Sequence, residues 1–413
     1  MYLNPVMSVS KRLLPIFSIL SLSFLFINFY NSEARQSLQQ KLPQHIGFGD
    51  WSRPSLLYGG SDEPIPVKPQ PAFRPGVPKA PGSNYTRTLV APRMKEEDIS
   101  WMDEELPSDI VRKIYVADDP HAPLHPPKNK GNEVMVYLTY LIDHYDHLSD
   151  ITIFVHSHQR AWHNNDLAGN DAAEMLRRLS NERVTREGYM NLRCQWYPGC
   201  PDWMHPGETE QNEFKTEEIL IAKAWAELFP LDPVPKVLAQ PCCAQFAMSR
   251  ERIQSIPRSQ FVFYRDWLLK TPLQSFVSGR VWEYMWQYAL SGEASRCPVE
   301  HACYCDGYGI CFGGEEQYYA WFDLRNQYND LAFKLNEWDD MDSKVKEAIE
   351  AGDTELAEGL DKPEEGKNEE YKREMAELAS ELDERLNLAK ERGDSPRNRA
   401  MEAGREWNEG DGF

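Results

Sequence analysis

Between Thr86 and Ser255 the apolar residues recur with two different periods, and each change of period marks a new element. "TRTLVA" (86–91) is a short β-branched strand, and "EEDISWMDEELP" (96–107) has an acidic start with Ile99, Met102 and Leu106 at the spacing of an amphipathic helix. "VRKIYVADDP" (111–120) reads as a second strand, closed by Asp118, Asp119 and Pro120. After the loop "HAPLHPPKNKG", the stretch "NEVMVYLTYLIDHY" (132–145) carries helical spacing at Val134, Tyr137, Leu138, Leu141 and Ile142. "ITIFVH" (151–156) is a third strand. Strands alternating with helices predict an α/β fold, with a mostly parallel central sheet covered by helices.

Further along, "DAAEMLRRLSN" (171–181) and "ETEQNEFKTEEILIAKAWAELF" (208–229) read as helices, and "PKVLA" (235–239) and "CCAQFAMS" (242–249) as strands. Ser249 is placed to cap "RERIQSI", with Glu251 in the first turn where the helix dipole favours an acid. "SGRVWEYMWQYAL" (278–290) is a helix with Val281, Met285 and Tyr288 on one face, Trp282 and Trp286 beside them, and one acid, Glu283.

In open parallel sheets ligands sit at the carboxyl ends of the strands. His156, His158 and His163 close the third strand and therefore stand at such a mouth. Alternate residues of a strand share a face, so His156 and His158 can converge, and neutral imidazoles bind zinc or manganese-like ions. A second use of the cluster is direct neutralisation of a diphosphate, together with Lys128, Lys130 or Arg160. A third is structural, the rings tying down a loop through Asp166 or the backbone.

The chain of 413 residues, 41% of them hydrophobic, has length for one large domain or two small ones. A net charge of −20 and a pI near 5.0 exclude a nucleic-acid partner, whose recognition needs a basic face. Much of that charge is local: residues 333–413 carry 25 acidic against 13 basic side chains. Residues 316–413 are thus expected to be a charged acidic tail of helix and coil, with "WFDLRNQYNDLAFKLNEW" able to dock on the domain.

Lys11 and Arg12 precede 18 mostly apolar residues, Leu13 to Tyr30, which as a helix span about 27 Å and cross a bilayer. Positive residues on the short leading side put residues 1–12 in the cytosol and the body in the lumen, as a single-pass type II protein of the secretory pathway. Cleavage near Ser32-Glu33-Ala34 is the alternative, and yields a secreted chain. Residues 31–85 form a proline-rich stem; "DEPIPVKPQPAFRPGVPKAPG" (62–82) favours extended polyproline II. The sequon Asn84-Tyr85-Thr86 offers a glycosylation site where the stem meets the globular domain, residues 86–315.

All eight cysteines (Cys194, Cys200, Cys242, Cys243, Cys297, Cys303, Cys305 and Cys311) fall in that domain. In an oxidising compartment an even count points to disulfides, although "CPVEHACYCDGYGIC" with His301 also has the composition of a zinc site. Adjacent Cys242 and Cys243, read as strand residues facing opposite ways, are expected to take different partners.

Taken together, "PPKNKGNEVMVYLTYLIDHYDHLSDITIFVHSHQRAWHNND", "GYMNLRCQWYPGCP", "PCCAQFAMSRERI", "GRVWEYMWQY" and "CYCDGYG" resemble the fungal proteins grouped as "domain of unknown function 3431", over about residues 86–312. That resemblance implies no activity. A more distant likeness is to GT-A type glycosyltransferases, a Rossmann-like nucleotide-sugar fold. There the second strand commonly ends in Asp-Asp, an Asn-x-Gly loop leads into a helix, and a later strand ends in a metal-binding Asp-x-Asp. Here Asp118-Asp119, Asn129-Lys130-Gly131 and His156-Ser157-His158 occupy those places.

The likeness implies nucleoside contact for Asp118, sugar-phosphate contact for Asn129 and Gly131, and, by position only, a divalent metal on His156 and His158. It also implies a membrane-anchored enzyme using a nucleotide-sugar and a glycan or protein acceptor. Glu283 is the acid expected to act at the acceptor, because aromatic surroundings raise a carboxyl pKa; pairing with Arg280 is the plainer use of it. Glu133 is a second acid candidate. The alternative is a luminal binding or scaffold module that keeps the fold without the chemistry.

Overall fold

Five strands build the sheet: β1 (Arg87–Arg93), β2 (Ile110–Val116), β3 (Ile151–Phe154), β4 (Tyr189–Asn191) and β5 (Phe246–Ser249), in the order β2-β1-β3-β5-β4. The computed structural model describes residues 73–413. The expected anchor, residues 13–30, and most of the stem lie outside the described residues. Among the described residues no helix is long and apolar enough to cross a membrane.

The sheet is mixed, with one strand, β5, running against the other four. β1 pairs in parallel with β2 and β3, but β5 runs antiparallel to both β3 and β4. Strand direction depends on the path of the connection, and the helix Glu218–Leu228 in the long excursion between β4 and β5 does not by itself set the direction of β5. β4, three residues long, has no expectation behind it. "PKVLA" does not enter the sheet: Leu238 and Ala239 make only isolated bridges, to Met204 and Ser295.

Alternation along each strand sends side chains to two cores. Val90, Phe154, Phe246 and Met248 face one, with the helices Val134–Asp143, Arg258–Lys270, Ser275–Glu283 and Trp286–Ser291. Leu89, Ala91, Ile151, Ile153 and Ala247 face the other, with Ala172–Arg178 and Glu300–Tyr308. Val134–Asp143 is apolar nearly all round because it is buried between β1 and Arg258–Lys270. The Ser249 hydroxyl accepts from the Arg252 N–H, the expected cap. The helix expected over 278–290 breaks into two at Tyr284–Met285, and the one expected over 96–107 narrows to Trp101–Glu104.

All eight cysteines are bridged: Cys194–Cys303, Cys200–Cys297, Cys305–Cys311 and the adjacent pair Cys242–Cys243. Four disulfides indicate an oxidising, secretory-type environment and displace the zinc alternative. The pairing of Cys242 with Cys243 overturns the expectation of separate partners. Cys243 and Ala244 have φ of 90° and 49°, so these residues form a turn ahead of β5, where strand alternation does not hold.

The acidic tail is helical and applied to the domain. Glu315–Glu350 and Lys367–Gly393 pack side by side, the Trp321 indole N–H donates to the Leu382 carbonyl at 3.0 Å, and Arg405 meets Asp306 at 2.7 Å.

Candidate functional site

The sheet order reverses at β1, with β2 on one side and β3 on the other, which in an open α/β sheet opens a crevice at the carboxyl ends of those strands. Residues 94–97 follow β1, 117–119 follow β2 and 155–158 follow β3 at this edge. Because β5 is antiparallel, its amino end, with Cys243 to Gln245, lies there too. The His156 N–H donates to Gln245 Oε1 at 3.1 Å, and the Gln245 amide donates to Asn164 Oδ1 at 2.9 Å.

The histidines divide. β3 ends at Phe154, so alternation does not extend to His156 and His158. His156 Nδ1 lies 3.1 Å from His163 Nε2, one ring donating to the other, and His156 Nε2 is enclosed without a hydrogen-bond partner. Burial lowers the His156 pKa to about 3, with the neighbouring His163 and His158 adding to it. Burial lowers His163 to about 4, followed by the charge of Arg193. Both rings are therefore neutral at pH 7. His158 is exposed and stands 3.7 Å from Glu97, which also accepts from the Ser157 hydroxyl at 3.0 Å. Among the described residues, no three metal-ligating side chains at this edge bring their donor atoms within 4.8 Å; the group that does, Cys305, Cys311 and Glu402, includes a disulfide.

The residues matched to the Asp-Asp and Asn-x-Gly places sit on loops. Asp118 Oδ1 accepts from the Lys95 N–H at 2.9 Å, while Asp119 pairs with Lys95 Nζ at 3.2 Å and accepts from the His121 N–H at 2.9 Å. The exposed Asn129 reaches the Met94 sulfur at 3.9 Å. The Lys130 ammonium donates to the Thr271 carbonyl at 2.5 Å and is buried, and burial lowers its pKa. Arg160 pairs with Asp171 at 3.1 Å. Gly131 has φ of +74°, donates to the Ser275 hydroxyl at 2.9 Å, and has Leu268 where a Cβ would stand, so glycine is required there.

Packing of Gly131–Asn132 against Gly279 brings Glu133 to the helix that carries Glu283. Burial pushes the Glu133 carboxyl up to about 8, with the Glu283 charge raising it further and Arg280 opposing. Burial likewise raises Glu283, against the pull of Arg280. Arg280 is the hub: its guanidinium meets Glu283 Oε2 at 3.1 Å, Glu217 Oε1 at 2.8 Å and the Tyr284 hydroxyl at 2.6 Å. Burial works against the Arg280 charge, but Glu283, Tyr284 and Glu217 outweigh it and raise its pKa. The other oxygen of Glu283 accepts from the Cys243 N–H at 3.1 Å, which fastens the disulfide turn to the acid cluster.

The aromatic neighbours of Glu283 are core: Trp282 and Trp286 are 0% exposed, so neither has a face for a ligand. Glu217 and Gln245 enter the site without a sequence signal, whereas the pairing of Arg280 with Glu283 is the one expected from their spacing. A groove of about 440 Å³ lined by Asp330, Glu374, Glu377 and Glu381 lies on the tail helices, and its acidic lining gives it no comparable chemistry.

Fold and edge together define an α/β protein with a mixed five-stranded sheet, four disulfides and an arginine held between two acids, Glu217 and Glu283. The chain belongs to the family described as "Protein of unknown function (DUF3431)", whose model matches residues 89–306. No curated protein and no solved structure matches it.

Proposed function

We propose that the chain is a glycosyltransferase-like enzyme of the secretory pathway that uses a nucleotide-sugar donor and is held to the membrane by residues 13–30. One observation carries this reading: two largely enclosed acids with raised pKa values, Glu133 and Glu283, lie in the field of one arginine, which pairs directly with Glu283, beside the edge where the sheet order reverses. A carboxylate poised nearer neutrality suits acceptance of a proton from an acceptor hydroxyl, and Glu283, oriented by Arg280 and the Cys243 N–H, is assigned that role. Asp118 and Asp119 face the nucleoside and Asn129 and Gly131 the sugar-phosphate.

Lys130 is committed to Thr271, so Arg160 and Lys128 are left to meet the diphosphate. Direct ligand contact by the histidines is favoured over metal binding, because His156 already engages His163 and, among the described residues, no third ligand gathers with them. If a divalent ion such as manganese or zinc binds, His156 and His158 hold it, and it supplies charge neutralisation of the diphosphate. Asn84 is exposed and suits a glycosylated lumen-facing surface.

The test is a thermal-shift titration of the full chain with a panel of nucleotide-sugars, with and without manganese or zinc, followed by assay of sugar transfer. A donor at a hundred times its dissociation constant stabilises the native state by about 2.7 kcal/mol. Stabilisation retained in Glu283→Gln with transfer abolished supports the reading. Folded protein that no donor stabilises sinks it. A donor that binds without transfer leaves the second reading, a binding module, which the hydrogen bond between His156 and His163 and the pairing of Arg280 with its acids favour.

A further inference from the structure

Trp162 and Tyr197 are 65% and 77% exposed, and between residues 112 and 213 they are the exposed large hydrophobic side chains. Both are held from beneath by one residue. Arg193, 8% exposed, donates to the Trp162 carbonyl at 3.3 Å and to the Tyr197 carbonyl at 2.7 Å, and its guanidinium lies 5.3 Å from the Trp162 ring. Burial lowers the Arg193 pKa, against the attraction of Tyr304 and Asp166. A buried cation spent on two loop carbonyls is an expensive way to fix two solvent-facing rings unless their placement matters.

The platform is rigidly backed and adjoins the crevice. Trp162 stacks edge-on to His163 at 5.5 Å, and His163 is the partner of His156. Tyr197 meets Trp203 edge-on at 6.0 Å, and Trp203 neighbours the Tyr284 hydroxyl that Arg280 holds. The segment carrying Tyr197 is tied down by Cys200–Cys297, and the Cys242 N–H donates to the Pro198 carbonyl at 3.1 Å. The aromatic rail thus runs from the histidines at the end of β3 to the Glu283 cluster.

We infer that Trp162 and Tyr197 form a saccharide-binding platform that takes a neutral glycan acceptor for the site. The inference rests on the transferase reading for the word acceptor, but not for the binding itself. Pyranose rings present flat C–H faces to aromatic rings and hydroxyls to flanking polar groups. Two exposed aromatic rings whose backbones are fixed by one buried arginine suit that alternation better than they suit a protein interface, which builds a contiguous apolar patch. Residues 1–332, with 40 acidic against 32 basic side chains, are still net negative, which favours a neutral glycan over an anionic one.

The experiment uses saturation-transfer NMR and titration calorimetry on the full chain with short neutral oligosaccharides of mannose, galactose, glucose and N-acetylglucosamine. Wild type should transfer saturation to sugar ring protons. Trp162→Ala and Tyr197→Ala should each weaken binding about tenfold, the scale of one aromatic contact, while Tyr197→Phe keeps it. Both side chains are exposed, so an unchanged melting midpoint shows that the variants fold. Wild type that binds none of these sugars, or binding indifferent to both alanine variants, overturns the inference. Nucleotide-sugar binding in the same samples separates the two claims: glycan binding without donor binding removes the transferase reading alone, and donor binding without glycan binding removes the platform alone.

Discussion

The backbone N–H of Cys243 donates to Oε1 of Glu283 at 3.1 Å, so a disulfide between sequence neighbours orients the carboxylate most central to the site. Under non-reducing digestion the peptide holding Cys242 and Cys243 should resist alkylation while carrying no second peptide. Cys194–Cys303 and Cys200–Cys297 should appear as cross-linked pairs. Recovery of Cys242 or Cys243 joined to any other cysteine would refute the pairing.

Arg280 stands between Glu217, 5% exposed at its side chain, and Glu283, 13% exposed. Arg280→Ala leaves both acids without their cation, and at pH 7 should cost roughly 2–3 kcal/mol, below the fully buried value because Arg280 itself keeps some solvent. Adding Glu217→Gln and Glu283→Gln to that variant should restore part of the loss, since the unpaired charges go with them. A denaturant-unfolding cycle measures both, and strict additivity would show that the three side chains do not act together.

Much of the first half of the fold was legible. β1, β2, β3 and Val134–Asp143 follow from alternation and helical spacing, because each buries a face whose period is intrinsic to the element. The direction of β5 and the existence of β4 were not, since both depend on pairing across the long excursion between them. The site divides in the same way. The histidines at the end of β3 and the acid at 283 were visible as local chemistry. The approach of Glu133 to Glu283 was not, because it depends on Gly131–Asn132 packing against Gly279, a contact between segments far apart in the chain that no local pattern announces. Strand alternation, applied past the ends of β3 and β5, misplaced both His158 and Cys243.

Stability should respond to pH through two opposed groups. Glu133 titrates near 8 in the fold and near 4.5 in the unfolded chain, so the native state holds the extra proton, and stability falls as pH rises from 4.5 through 8. Glu133→Gln should flatten that limb and raise stability at pH 8, by an amount on the order of a few kcal/mol. An unfolding free energy that is flat across this window in wild type would remove the raised carboxyl.

His156 and His163 act at the other end. Their folded pKa values of about 3 and 4 lie below the unfolded value near 6.5, so the unfolded chain takes up protons first. Their contribution is complete above pH 6.5 and is lost as pH falls toward 4. His156→Gln should shrink the loss between pH 6.5 and 4, and histidine ring shifts by NMR should show no protonation of either ring at pH 6 in the native state. Protonation at that pH would mean the pair is open to solvent.

The acidic tail should prove part of the domain's stability. The Cys311 N–H donates to the Ala389 carbonyl at 2.9 Å, and the Asp306 carboxylate receives both Arg186 and Arg405. Gly393 comes so close to Gly309 that a Cβ there would lie 2.1 Å from the Gly309 carbonyl oxygen, an approach only glycine permits. Gly393→Ala must push Lys367–Gly393 away from Glu300–Tyr308, uncovering the face that Leu382 and Ala389 now bury with Tyr308 and Trp321. Thermal unfolding should shift down by several degrees, in line with a loss of about 1–3 kcal/mol for an overpacked contact. Amide exchange should rise at Cys311 and along Lys367–Gly393 while β1 and β3 stay protected. Unchanged exchange and an unchanged midpoint would mean that the tail rests on the domain without holding it.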